Sequence, residues 1–360
     1  MKFIDKANKI FVCHEYYTPS HYTALEYLAH NKGYEVIYCE PNLLRQLRQS
    51  VKNRIPRSRL LHNIITTWRL LVSHGHKVVI GMAPYNPFLR TLLFILRGHE
   101  LYYHSSYSCW DGTRYAHEGS DSDKVLWKDF TNNQIKHFFA VSQKTKEEVI
   151  KNGFAKSDNI AIVNHSYNID IVGNTTSQKT NKFICVGRLC DQKGTLQLLD
   201  IFARHPEANI TFVGSGEYEN KVKEYACKYK NIKYYGFVKG LANLVPIYKE
   251  NSFLIMNSIR TNSWEELFGM ALYEGMACGC VPLANDHPGP KEIITDNKDG
   301  FLCQEGNIEV LIEKAITMDS QSYQFFRANA ISRGRHFHSS SISKQWMAIF
   351  SEEVNLYSNY

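Results

Sequence analysis

Short runs of β-branched and aromatic residues, each followed by a stretch with helical spacing, recur along most of this 360-residue chain. That alternation is the signature of βα units, and such units in series build a parallel sheet. Two series separate. The first holds KIFVC (9–13), YEVIYC (34–39), KVVIGM (77–82), ELYYH (100–104), FFAVS (138–142) and IAIVNH (160–165). After NIDIVGNTTSQKTN (168–181), whose polar composition suits a linker, the second runs through KFICVG (182–187), ITFVGSG (210–216), IKYYG (232–236), FLIM (253–256) and CVPLA (280–284). Helices are predicted over 194–204, 217–228, 270–278 and 308–318. In SISKQWMAIFSEEV (341–354), Ile342, Trp346, Ile349 and Phe350 lie near helical spacing and predict an amphipathic helix. The chain exceeds the size at which single cores stop growing. The predicted architecture is therefore two Rossmann-like α/β domains, 1–168 and 178–335, facing each other across a cleft. Ligands of open parallel sheets bind beyond the carboxyl ends of the strands, which makes that cleft the default site.

Nine cysteines form neither a CxxC pair nor the dense even spacing of a secreted scaffold, and read as reduced core thiols. No apolar stretch approaches the roughly 20 residues that span a bilayer, and MKFIDKANK lacks the apolar centre of a signal peptide. The expected location is the cytoplasm. The formal net charge of +7 is uneven: between 41 and 100, Arg45, Arg48, Lys52, Arg54, Arg57, Arg59, Arg69, Lys77, Arg90 and Arg97 are opposed only by Glu100. The segment 42–71 mixes these cations with Leu43, Leu44, Leu47, Leu60, Leu61 and Trp68. Two readings stand: helices packed on a sheet with solvated charges, or a surface laid on the anionic inner face of the cell membrane. No nucleic-acid module is present, and charge alone gives only non-specific binding. The DxD formed by Asp121 and Asp123 reads as a loop capping a helix, so no metal is expected.

Chemistry concentrates in the second series. VGRLCDQKG places Arg188 and Lys193 around a turn that ends at Gly194, just past a strand, where two cations can neutralise a diphosphate. In VGSGE, Gly214 and Gly216 allow close backbone approach to a ligand. EELFGMALYEGMACG sets Glu266 and Glu274 on either side of Gly269. On one continuous helix that separation turns the side chains roughly 80° apart. They serve one ligand better if Gly269 marks a loop-to-helix junction, with Glu266 on the loop, Glu274 about a turn inside, and the positive helix end beside both.

In this order VGRLCDQKG, VGSGE, YYGFV, EELFGMALYEGMACGCVPLA and GPKEIITDNKDGFL resemble the donor domain of glycosyltransferase family 4, retaining enzymes of the GT-B fold. The resemblance covers nearly all of 138–354 and implies a nucleotide-sugar co-substrate, a UDP-sugar ahead of a GDP-sugar, and no cofactor. It implies transfer to a glycan or lipid-linked saccharide in surface polysaccharide or lipooligosaccharide synthesis. Arg188 and Lys193 would contact the donor diphosphate, Glu266 the sugar hydroxyls and Glu274 the ribose. Phe268, Gly269 and Met270 would offer backbone N–H groups, while Phe237 and Val238 would border the base. Asn257, Thr261, Asn262, Ser263 and Trp264 would help choose the sugar. The segment 336–360 would cross back to the first domain.

That first domain departs from the family, because CHEYYTPSHYTALEYL lacks the Gly-Gly pair many relatives carry after the first strand. Pro19 and Ser20 are predicted to start the next helix, with Ser20 at the cap and read as a donor contact, and His21 near the cleft. His104 resembles the histidine that family members place close to the transferring sugar. His14 and Glu15 end a strand and are read, with His21, as acceptor contacts; His165 ranks below them. The family mechanism is front-face attack in which the departing phosphate takes the acceptor's proton. A nucleotide-sugar epimerase or hydrolase of the same fold, and a non-catalytic binding subunit, are the alternatives.

Overall fold

The structure is a computed structural model that describes residues 8–350 except 53, 113–119, 172–177 and 263. It divides into two compact units: the chain up to Asn168 joined by the segment from Ser339 onward, and Ile169–His338.

The first unit is a six-stranded parallel sheet of β1 (Lys9–His14), β2 (Glu35–Cys39), β3 (Lys77–Gly81), β4 (Glu100–Ser105), β5 (Ile135–Ala140) and β6 (Ile160–Ile162), in the order β2-β1-β3-β4-β5-β6. Strands β1 and β3 pair in register, Cys13 beside Ile80, and are buried almost throughout, which is why they read as continuous apolar runs. On one face Tyr103, Trp110, Trp127 and Phe138 pack edge to face. The unit's first helices are α1 (Thr23–Asn31), α2 (Leu43–Val51) and α3 (Arg57–Val72).

The second unit holds β7 (Lys182–Val186), β8 (Asn209–Val213), β9 (Ile232–Gly236), β10 (Phe253–Met256), β11 (Val281–Asn285) and β12 (Phe301–Cys303), all parallel, in the order β12-β11-β10-β7-β8-β9. The order of strand addition switches between β7 and β10, which are adjacent and parallel, so their carboxyl ends lie side by side at one sheet edge, the place where open parallel sheets bind ligands. In each unit the fold class is the one the alternation of runs predicts. Strand β12 is an addition: GFL is too short to signal a strand and pairs only at the sheet edge, beside β11.

Three local expectations need correction. The predicted helix over 341–354 is instead a single α-turn, Ser339–Ile342, followed by 3₁₀ structure over Ser343–Phe350; residues 351–354 lie outside the described part. Its apolar residues Ile342, Trp346, Ile349 and Phe350 are nevertheless buried in the first unit. Ser20 is not a cap: it sits inside the 3₁₀ turn Pro19–His21, and Tyr22 precedes α1 without a side-chain cap. The 3₁₀ turn places Ser20 two residues before the N-cap of α1, too early for its hydroxyl to hold the cap position. The helix after SDS does begin as expected at Asp121, where Ser120 Oγ accepts the Asp123 N–H at 3.2 Å. All nine cysteines are free thiols.

Candidate functional site

Parallel neighbours deliver their loops to the same sheet edge, so the segments leaving β7 and β10 meet although they are far apart in sequence. Past β7, Arg188 precedes the 3₁₀ turn Asp191–Lys193, which ends at Gly194 and opens the helix Thr195–Arg204. Past β10 runs the loop 257–269. The Ile259 N–H donates to Gln192 O at 2.9 Å, tying the two loops together. Lys193 Nζ then reaches Glu266 Oε2 in an ion pair that is largely shielded from solvent, 5.2 Å from the Trp264 ring centroid. Ser258 Oγ donates to the same carboxylate oxygen at 2.9 Å.

The backbone around Glu266 is equally braced. Its N–H donates to Nδ1 of fully buried His287 at 3.2 Å, and its carbonyl accepts the Gly289 N–H at 3.1 Å. Accepting at Nδ1 leaves the His287 proton on Nε2, 3.1 Å from Glu305 Oε1. Burial holds the His287 pKa below its ordinary value. Gly289 permits this because a Cβ there would strike the backbone of Phe268. Arg260 closes the arrangement, bridging Glu265 at 3.3 Å and Glu305 at 3.2 Å. Sequence reasoning missed Ser258, Arg260, His287 and Glu305. Only the HPGP stretch carried a signal, through prolines that force a loop-to-helix start at Pro288.

Gly269 (φ 87°) is the N-cap of the helix Met270–Cys278, a left-handed position where L side chains are strained. The loop-to-helix junction predicted from the sequence is therefore present, with Phe268 buried before it and Met270 opening the helix. At the other end the buried guanidinium of Arg327 donates to Gly279 O at 2.5 Å, a cation against the negative helix terminus. Glu274 lies one turn in and keeps some solvent access. It accepts a hydrogen bond from Tyr248 Oη at 3.3 Å, and burial raises its pKa from 4.5 to about 7. A carboxyl whose folded pKa is raised binds its proton more tightly folded than unfolded. Its stabilising contribution is complete below pH 4.5 and is lost as pH rises through 7, a swing of about 3 kcal/mol. The thermal midpoint of wild type should therefore fall more than that of Glu274→Gln between pH 5 and 8. Parallel melting curves would remove the assignment.

The remaining second-unit candidates divide. Arg188 is exposed and makes no ion pair among the described residues, leaving its guanidinium available to a ligand. Gly214 and Gly216 have a packing role in the unit itself. The space a side chain would occupy is taken by Gly187 O and Leu189 O, so these glycines let the loops leaving β7 and β8 run together. The Leu189 N–H donates to Ser215 O at 3.0 Å across that contact. Phe237 is exposed and Val238 half-buried beyond β9. Asn257 is buried and hydrogen-bonds Gln197 and Asn285, which fixes the loop rather than presenting an amide to solvent. Thr261 and Asn262 are exposed, and Ser263 lies outside the described residues.

In the first unit the structure gathers His14, His21, His104 and His165 around the ends of β1 and β4. Ring centroids are 6.2 Å apart for His14 and His21, 4.2 Å for His21 and His165, and 5.7 Å for His104 and His165. His104 is buried between Tyr22 (5.1 Å) and Trp346 (5.2 Å), and its Nε2 has no hydrogen-bond partner among the described residues. Desolvation lowers all four pKa values, to about 3 for His14 and His104 and about 4 for His21. These imidazoles are neutral at pH 7. No cluster suited to a metal ion occurs among the described residues. The Glu15 carboxylate accepts the Ala83 N–H at 2.9 Å and the Asn86 side-chain amide, so its first duty is to hold the loop after β3. With Cys13, His14, Arg45, Met82 and Phe88 it lines a small pocket of about 20 Å³. Ser20 is exposed, in the turn next to His21.

Comparison with known proteins places these observations. Residues 168–336 match the family model described as "Glycosyl transferases group 1". An uncharacterized glycosyltransferase of Haemophilus influenzae is 30% identical over 201 residues, covering 54% of this chain and 48% of the relative. The chain spans about half or less of the length of the curated relatives it matches first. Anabaena Alr3699/HepE, solved with UDP and glucose, superposes with a TM-score of 0.67 at 18% identity over 96% of this chain and 99% of that one. The apo lipopolysaccharide outer core galactosyltransferase WaaB gives 0.64 at 17% identity over 96% and 99%. At these identities the likeness establishes the fold, which is GT-B-like. The segment that matches the glycosyl transferases group 1 model, residues 168–336, contains the Lys193–Glu266 pair and every group that braces it.

Proposed function

We propose that the chain is a retaining glycosyltransferase moving a sugar from a nucleotide-diphosphate sugar, a UDP-sugar by preference, to a saccharide or lipid-linked saccharide acceptor in surface-glycan synthesis. One observation carries the reading. A lysine and a carboxylate from separate loops meet at the carboxyl edge of a parallel sheet, beside a glycine-headed helix, inside the segment that matches the family model. The preference for UDP and for surface glycans draws its support from the two solved neighbours, one in complex with UDP and glucose and the other a lipopolysaccharide outer core galactosyltransferase.

In this reading Arg188 and Lys193 hold the diphosphate and stabilise the charge that develops as the sugar C1–O bond breaks. Glu266 orients the sugar hydroxyls, and Glu274 in its ionised form accepts from the ribose. The acceptor oxygen forms the new bond to C1 on the face the diphosphate leaves, and its proton passes to a departing phosphate oxygen. No pair of carboxylates at glycosidase spacing is then needed. The first unit takes the acceptor and contributes His104 as a neutral imidazole, the state its burial enforces. The protein works in the cytoplasm and requires no cofactor.

Calorimetric titration with UDP-, GDP-, ADP- and CMP-sugars tests this. Saturable binding of a UDP-sugar, weakened at least tenfold in Glu274→Ala, is the expected result. Binding of none of them would end the proposal, and donor breakdown that proceeds equally without acceptor would replace it with a hydrolase.

A further inference from the structure

Helices α2 and α3 are built inside out. The side of α3 that meets the sheet carries Asn63, Thr66 and Thr67 with Leu70, while Leu61, Ile64, Ile65 and Trp68 face solvent. In α2 the single buried residue is Gln46, and Leu44, Leu47 and Val51 are exposed. The contrast is large: Gln46 and Asn63 retain 1% and 2% of their accessible surface, whereas Leu44, Val51 and Trp68 retain 74%, 76% and 64%.

A polar network makes the buried side affordable. Gln46 Nε2 donates to Glu40 Oε2 at 2.6 Å, Asn63 Nδ2 donates to Gln46 Oε1 at 3.2 Å, and the Glu40 N–H donates to Asn63 Oδ1 at 3.2 Å. Because both helices turn their polar sides into this one network, both turn their apolar sides outward. The spacing confirms single faces: 44, 47 and 51 on α2, and 61, 64, 65 and 68 on α3. Seven large apolar side chains concentrated on two adjacent helices are more than the scattered exposure normal for a protein surface, and such patches mark interaction sites.

Charge selects the partner. Arg48, Lys52, Arg54 and Arg57 flank the apolar faces, are exposed, and form no ion pair among the described residues. Arg45 and Arg59 lie over the Tyr16 and Tyr17 rings, at 4.2 and 4.5 Å. No carboxylate occurs between residues 41 and 99. A second copy of the chain would bring like charges together, whereas an anionic bilayer supplies both opposite charge and hydrocarbon. No helix among the described residues is long and apolar enough to cross a membrane. We infer that the outward faces of α2 and α3 seat the first unit on an anionic lipid surface, with Trp68, Leu47 and Ile65 entering the headgroup boundary and the cations meeting lipid phosphates. The inference concerns where the chain works and does not depend on the transfer reaction.

Vesicle flotation tests it. The full chain should rise with phosphatidylcholine vesicles containing phosphatidylglycerol and stay down with phosphatidylcholine alone. Arg48→Gln with Arg54→Gln should lower partitioning about fivefold for each cation removed, roughly 25-fold together. Leu47→Ser, Ile65→Ser and Trp68→Ser combined should lower it at least tenfold while the melting temperature stays near that of wild type, since all three side chains are exposed. Quenching of wild-type fluorescence by brominated acyl chains, lost in Trp68→Phe, supplies a reading that needs no multiple variant. Failure of the wild type to float with anionic vesicles, equal flotation of the triple variant, or a dimer in sedimentation that the same substitutions dissolve would each overturn the inference.

Discussion

Replacing Lys193 with methionine is expected to lower sugar transfer by about 10²–10³-fold, the loss typical when one preorganised group facing developing negative charge is removed. The same change leaves Glu266 shielded from solvent with Ser258 Oγ as its remaining side-chain donor. Breaking a buried pair from one side costs about 3 kcal/mol or more, so the second unit should also melt earlier. The two effects separate in a double variant. Lys193→Met with Glu266→Gln removes both charges, and neutral groups of similar shape restore most of the stability. Transfer should stay low in the double variant while the melting temperature recovers. Calorimetry and an initial-rate assay on the three variants decide the matter, and recovery of transfer along with stability would show that Lys193 only supports the fold.

Acid should unfold the first unit well before ordinary carboxylates titrate. A histidine whose folded pKa is depressed binds fewer protons folded than unfolded. Its stabilising contribution is therefore complete above pH 6.5 and is lost as pH falls towards the folded value. For His104, lowered to about 3, that loss amounts to about 2 kcal/mol by pH 5. His14 and His21, at about 3 and 4, act in the same direction. Glu274 in the second unit has the opposite sign, becoming more stabilising over that range. Histidine proton resonances followed from pH 8 to 5, beside near-ultraviolet circular dichroism, should show the first unit losing structure while its imidazoles are still neutral. His104→Phe should flatten the dependence. Ordinary titration of these imidazoles near pH 6.5 in the folded protein would contradict the prediction.

Much of the second unit was legible because its signals are local. Val, Ile and Phe runs too short for helices, each followed by helical spacing, announce buried parallel strands. Gly269 and Gly279 bracket the helix Met270–Cys278 at its two left-handed positions, so that element was readable to the residue. The first unit was less readable. Ser20 looked like a cap and is not, because a three-residue 3₁₀ turn intervenes before α1. The amphipathic spacing in 341–350 was real, but side chains packed against His104 and Phe139 shape that backbone as 3₁₀ more than α. In 42–71 the helical period was visible, whereas the face turned inward was not. Ordinary expectation buries leucine and tryptophan; here an amide network holds the polar side in, and no single residue announces that network.

What the sequence by itself determined is the order of βα units and the identity of Arg188, Lys193, Glu266 and Glu274 as the groups to watch, because strand length, glycine conformation and residue chemistry are properties of neighbouring residues. What only the tertiary structure decided is which of them meet. Lys193 and Glu266 stand 73 residues apart and come together because β7 and β10 are adjacent and parallel, delivering their loops to one edge. Four histidines from separate segments likewise become a single neutral cluster only when the sheet removes water from all of them at once. Contacts between distant segments depend on strand order, and strand order is a property of the whole packed unit.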